Sequence, residues 1–152
     1  MTDTPGLADA AEIVADEPEI DRRYITAVPF VRHDAAGHIT GQGTMGLGHL
    51  EDEARREGGI VQGAGAGETH YVDVVTGSLR AKTPCPARRE GMVLSGLPVP
   101  CRIEIGQLGR VPTLYDWSDP ALTLAFDHPG YWSVRVLALR HQDGRFDVQV
   151  DA

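Results

Sequence analysis

Six histidines, His33, His38, His49, His70, His128 and His141, are the side chains of this sequence most suited to holding a metal or moving a proton. Imidazole titrates near neutral pH and is the commonest metal ligand. No two of the six have the one-face spacing of a helical metal site, and most stand in predicted turns beside Asp or Gly, where a polar ring is solvated. His33, Asp34 and His38 surround one turn and are the best candidates for a weak surface metal site. Ser95, Ser118 and Ser133 lack the Gly-x-Ser-x-Gly elbow that presents a nucleophile. The carboxylates cluster on the N-terminal arm, one short helix and the hairpin tips, which are solvated faces rather than opposing walls of a cleft. Gly63-Ala-Gly-Ala-Gly67 is a flexible connector and not a phosphate loop, because no Lys-Ser or Lys-Thr follows it. No residue is therefore assigned a catalytic, cofactor-binding or metal-ligating role, and a non-enzymatic protein is expected.

The elements that would position these groups are mostly strands. Leu122 to Phe126 alternates large and small residues, Trp132 to Ala138 alternates again, and Phe146, Val148 and Val150 repeat the pattern, so each run can lay one face on a core. Pro129-Gly130 breaks the chain between the first two runs, and Gln142-Asp143-Gly144 is a hairpin-turn signal between the last two. Upstream, Cys101, Ile103 and Ile105 alternate with Arg102 and Glu104 in a half-buried strand. Thr113 to Trp117 reads as a short strand. Short strands with turns between them point to a sandwich of six or seven strands.

The N-terminal half reads differently. Residues 1–22 form an acidic arm that is expected to be disordered or a frayed helix alone, and to be held by a neighbouring chain in a larger assembly. Tyr24 to Val31 is β-rich and leads into a hairpin turning near Ala36-Gly37, with Pro29 marking an edge or a bulge. Gly41 to Gly48 is too glycine-rich for regular structure. From Leu50 acids precede Arg55 and Arg56, and Gly58 follows, as in a helix of about two turns. His70 to Lys82 is a second hairpin with its turn at Val75 to Ser78, and proline-stiffened Thr83-Pro-Cys-Pro-Ala marks a boundary. The expected organisation is arm 1–22, hairpin-helix-hairpin docking region 23–83 and an antiparallel sandwich 84–152, in the mainly-β class.

Composition narrows the partners. Fourteen basic residues against 22 acidic ones give a net charge of −8, which makes a nucleic-acid backbone an unsuitable partner. The first six residues lack the basic and apolar regions of a secretory signal, and no run of some eighteen apolar residues occurs, so membrane insertion is not expected and synthesis in a cytoplasm is. Cys85 and Cys101 are expected as two reduced thiols, with a disulfide as the alternative.

The run Phe126-Asp-His-Pro-Gly-Tyr-Trp-Ser-Val-Arg-Val resembles the Pro-Gly corner that closes bacterial and phage immunoglobulin-like domains, with Trp132 where Tyr is commoner. Residues 69–150, from Thr-His-Tyr-Val-Asp through Pro-Cys-Pro-Ala and Leu-x-Gly-Leu-Pro-Val-Pro-Cys to that corner, are similar to small tail-associated proteins of tailed bacteriophages. The resemblance implies a C-terminal immunoglobulin-like domain and a virion component near the baseplate or fibre attachment. Its implied partners are other tail proteins, in multiple copies of a symmetric assembly. Two alternatives remain open: a capsid decoration protein, and a module binding host-surface glycans through Tyr131, Trp132 or Trp117.

Overall fold

The computed structural model describes residue 13 and residues 15–152. The first described residues, up to Ile20, are exposed and carry no regular structure, and most of the acidic arm lies outside the described residues. As expected, the fold is mainly β and its sheets are antiparallel.

The chain begins its regular structure as a helical turn, α1 (Arg22–Ile25), and not as the strand expected from Tyr24. Asp21 explains this: its carboxylate accepts the Arg23 N–H at 3.0 Å, satisfying a donor that a helix start leaves free. Three strands follow, β1 (Ala27–His33), β2 (Ile39–Gly46) and β3 (Ile60–Gln62), in the order β2-β1-β3, with helix α2 (Leu47–Arg56) between the last two. Although β1 carries a register irregularity between Arg32 and His33, Pro29 therefore sits in a central strand and not in the edge strand that was one of the two expectations. Its carbonyl accepts the Gly63 N–H at 2.9 Å, so its donor-less side faces past Gln62, the last residue of β3 that pairs with β1.

The glycine-rich stretch 41–48 also corrects the sequence reading, since it is strand β2 and the first turn of α2. Its glycines serve close approach. A Cβ on Gly46 would lie 2.4 Å from the Tyr24 carbonyl oxygen, and one on Gly48 would lie 2.8 Å from the Tyr24 ring. Tyr24 thus clasps the junction of β2 and α2, with its hydroxyl donating to Asp52 at 2.8 Å. The hairpin β4 (His70–Asp73) and β5 (Ser78–Ala81) then docks on the turn of the first hairpin, where the Val72 N–H donates to the Gly37 carbonyl at 2.9 Å.

The C-terminal half holds seven strands: β6 (Arg88–Glu90), β7 (Val93–Ser95), β8 (Cys101–Gln107), β9 (Thr113–Trp117), β10 (Leu122–Thr123), β11 (Gly130–Ala138) and β12 (His141–Val150). They pair as two sheets, β12-β11-β8-β9 and β10-β7-β6. One buried cluster joins the sheets: Ile103, Val134, Val136 and Val148 from the first, Leu94 from the second, and Leu97, Cys101 and Leu124 at the margins. Burying a side chain of this size contributes about 1.5–3 kcal/mol, so this cluster is the main source of stability in the half.

Two expectations fail here. The run 122–126 is a strand only at Leu122–Thr123; beyond the Leu124 N–H, which donates to Met92 at 2.7 Å, the alternation is kept by burial without strand pairing. Gln142-Asp143-Gly144 is not a turn, because the chain reverses at Leu139-Arg140 and β12 already runs from His141. Gln142 and Asp143 are accommodated by an irregularity between Val136 and Ala138. Gly144 is a glycine because a Cβ there would lie 2.7 Å from Cys85 Sγ.

The halves meet through backbone. Thr83 donates its N–H to the Arg140 carbonyl (3.1 Å) and accepts the Gln142 N–H (2.7 Å), forming an isolated parallel bridge with His141.

Two glycines give a direct check. Gly37 has φ 106° and its added Cβ would fall 2.1 Å from the Val72 carbonyl oxygen, so Gly37→Ala is expected to cost about 3 kcal/mol or more in urea unfolding. Gly144→Ala is expected to cost about 1–3 kcal/mol, and less in a Cys85→Ala background, where the sulfur it meets is gone.

Candidate functional site

A cleft of about 610 Å³ with polar side chains of several kinds lies between the first hairpin's tip and the four-stranded sheet. His38 and Lys82 form one wall; Arg102, Asp116, Trp117 and Asp143 lie on the sheet side. Strand pairing builds that side. Arg102 stands opposite Asp116 across β8 and β9, and the two form an ion pair at 3.1 Å. Asp143 is held by Arg135 at 2.7 Å, and Arg135 also reaches Glu104 at 3.3 Å. The outer face of this sheet is therefore a lattice of paired charges.

His38 is fixed by the tight turn of its own hairpin. Asp34 accepts the N–H groups of Ala36, Gly37 and His38 at 2.9–3.0 Å with one oxygen, and meets His38 Nδ1 at 3.1 Å with the other. Partial burial pushes the Asp34 carboxyl up, but the N–H bonds from His38 and Gly37 outweigh it and hold it below the ordinary carboxylate value. His33 turns its Nδ1 to the Asp34 carbonyl at 2.8 Å. The His33, Asp34 and His38 trio is thus committed to shaping the turn, and among the described residues no group of three or more metal-binding side chains assembles.

Sequence reasoning did not find that Ser118, on the sheet side, shares this cleft with His38. Ser118 and His38 make no hydrogen bond among the described residues, so what the cleft presents is a mixed polar surface beside an indole. No local signal could have joined them, because 79 residues of chain lie between His38 and Ser118. His49 packs edge-on against Tyr24 with centroids 4.8 Å apart. His70 Nδ1 meets the Thr69 hydroxyl at 2.8 Å. The His128 ring lies 3.8 Å from the carboxylate of its neighbour Asp127, and His141 lies in the bridge to Thr83.

The aromatic residues divide as adjacent strand positions must. Trp132 packs inward against Phe126, centroids 4.8 Å apart, and its Nε1–H donates to the His128 carbonyl at 3.1 Å. That bond to backbone four residues upstream ties the Pro-Gly corner. Trp117 likewise donates to the Ala121 carbonyl at 3.1 Å. Tyr131 alone of the three stands open, 72% exposed. Cys85 and Cys101 are free thiols against the same core, and burial pushes the Cys101 thiol up.

A second surface is apolar. Leu108 and Val111 project fully from the loop between β8 and β9, and Leu114 and Tyr115 on β9 are half exposed. β9 is an outer strand of its sheet, and four of its five residues are exposed.

No family model, curated protein or solved structure matches the chain.

Acid titration tests the polar framework. The Arg32 guanidinium, hydrogen-bonded to Glu53, holds that carboxyl below its ordinary value of 4.5, and Asp34 lies below 3.8. A carboxyl lowered by folding binds its proton more weakly in the folded state than in the unfolded chain. Its stabilisation is complete above the ordinary value and is lost as pH falls through the folded one. The melting temperature is expected to hold between about pH 5 and 7 and to drop below about pH 4, with a shallower drop in Glu53→Gln and Asp34→Asn, measured by circular dichroism.

Proposed function

We propose that this chain is a non-enzymatic structural component of a bacteriophage virion, at the tail tip, the baseplate or the point of tail-fibre attachment. On this reading it docks through its N-terminal half and displays an immunoglobulin-like domain. The observation that carries the reading is the surface: large apolar side chains stand in solvent along the loop of Leu108 and Val111 and the outer strand β9, as expected of a protein whose work is holding neighbours. The likeness of residues 69–150 to tail-associated phage proteins supplies the setting. The strand order supports the domain assignment. Taken in sequence, β6, β7 and β10 in one sheet, with β8, β9, β11 and β12 in the other, distribute as the strands of immunoglobulin-like sandwiches do.

A glycan-binding role is the second reading, favoured by exposed Tyr131 at the mouth of a depression lined by Glu104, Arg145 and Asp147. Binding on a glycan array that Tyr131→Ala abolishes would select it.

Mass spectrometry of virions purified away from free protein is the deciding experiment. Peptides of this chain are expected in the particles at a fixed, low ratio to the tail proteins. A copy number matching the major capsid protein would make it a capsid decoration protein instead, and absence from the particles would end the structural reading.

A further inference from the structure

We infer that two copies of this chain join through their β9 strands, antiparallel about a twofold axis at Tyr115, to make one continuous eight-stranded sheet. This deepens the structural reading above by naming a partner, and it rests on that reading only in taking the protein to be one that assembles.

An outer strand presents a row of backbone N–H and C=O groups that another strand can pair with, and soluble proteins usually blunt such edges with lysines, inward-pointing charges or covering loops. Among the described residues β9 pairs with no strand other than β8, and it contains no lysine. Its one charge, Asp116, is already neutralised by Arg102 at 3.1 Å. Leu114 is 51% and Tyr115 49% exposed, on opposite faces of the strand, so neither face is closed.

The occupant follows from register and charge. Tyr115 is the middle of the five residues Thr113–Trp117, so only pairing centred there engages all five residues of both strands. Tyr115 then meets Tyr115 of the other copy, and Thr113 meets Trp117, on the face that continues the core side; aromatic cross-strand contacts of this kind add to sheet stability. Shifting the centre to Asp116 would oppose two carboxylates, and shifting it to Leu114 would set Asp116 against Pro112, which has no N–H to give. Just beyond the strand ends, the Tyr115-centred arrangement brings Arg110 of each copy alongside the Ser118-Asp119 turn of the other. Arg110 is exposed and forms no ion pair among the described residues, and Asp119 engages only the Ala121 N–H, at 2.9 Å. The joint thus gains two complementary charge contacts by symmetry. The net charge of −8 opposes association in general, but at physiological ionic strength it is screened beyond about 8 Å, while these contacts are local.

Sedimentation equilibrium of the full chain tests the inference. A dimer is expected, and Tyr115→Lys, which places a charge on the axis against its own copy, is expected to leave a monomer with an unchanged circular dichroism spectrum. Arg110→Glu should weaken the dimer about tenfold or more, and Arg110→Glu combined with Asp119→Arg should recover it, a restoration that mere loss of folding cannot produce. A parent protein that stays monomeric up to about 1 mM, or a dimer indifferent to both Tyr115→Lys and Arg110→Glu, would overturn the inference. Either result would leave the virion experiment to stand or fall separately.

Discussion

The structure depends on the burial of one layer of aliphatic side chains between two unequal sheets. Ile103, Val134, Val136 and Val148 come from the four-stranded sheet, and Leu94 answers them from a partner of only three short strands. Because the smaller sheet is so short, the large sheet extends past it. The segment after β10 covers the overhang with Leu124 and Phe126 without joining the pairing, and Trp132 closes beneath it. Strand β9, at the far side of the large sheet, receives less cover than its neighbours. Incomplete closure of the core and the open apolar edge have the same cause.

The N-terminal half follows another principle. It has few large apolar residues, and it gains definition from close backbone approach and from charge. Tyr24 fits against Gly46 and Gly48, Gly37 against Val72, and the arginines Arg23 and Arg32 reach Glu51 and Glu53 on α2. Exposed ion pairs of this kind contribute little each, so the steric fits at glycine are the more specific determinants. The half buries Val31 and Val72 completely, which supplies an anchor that the polar contacts then orient.

Period-two alternation made the strands with a buried face legible in advance: β8, β11 and β12 stand where Cys101 to Ile105, Trp132 to Ala138 and Phe146 to Val150 placed them, and β9 covers Thr113 to Trp117 with four of its five residues exposed. Two of the errors share a cause. Gly41 to Gly48 and Gln142-Asp143-Gly144 were read through the conformational freedom of glycine, whereas Gly46, Gly48 and Gly144 are there because a neighbouring chain segment leaves no room for a Cβ. A close approach between distant segments has no local signature. Neither has the cleft, whose walls come from His38, from Lys82 and from Pro100 onward. The exposure of Leu114 and Tyr115 has no local signature either, since it depends on how far the sheet's other layer reaches.

The bridge at Thr83 has a mechanical meaning. Its two hydrogen bonds, to Arg140 and from Gln142, flank His141 just after the reversal between β11 and β12 and lie side by side along a parallel contact. A pull passing from the first half of the molecule into the second would strain both bonds at once instead of peeling them in succession. The linkage uses main-chain atoms alone, so substitution at the side chains around it would leave the coupling in place, and traction on the early hairpins would be delivered to the longest strands of the fold.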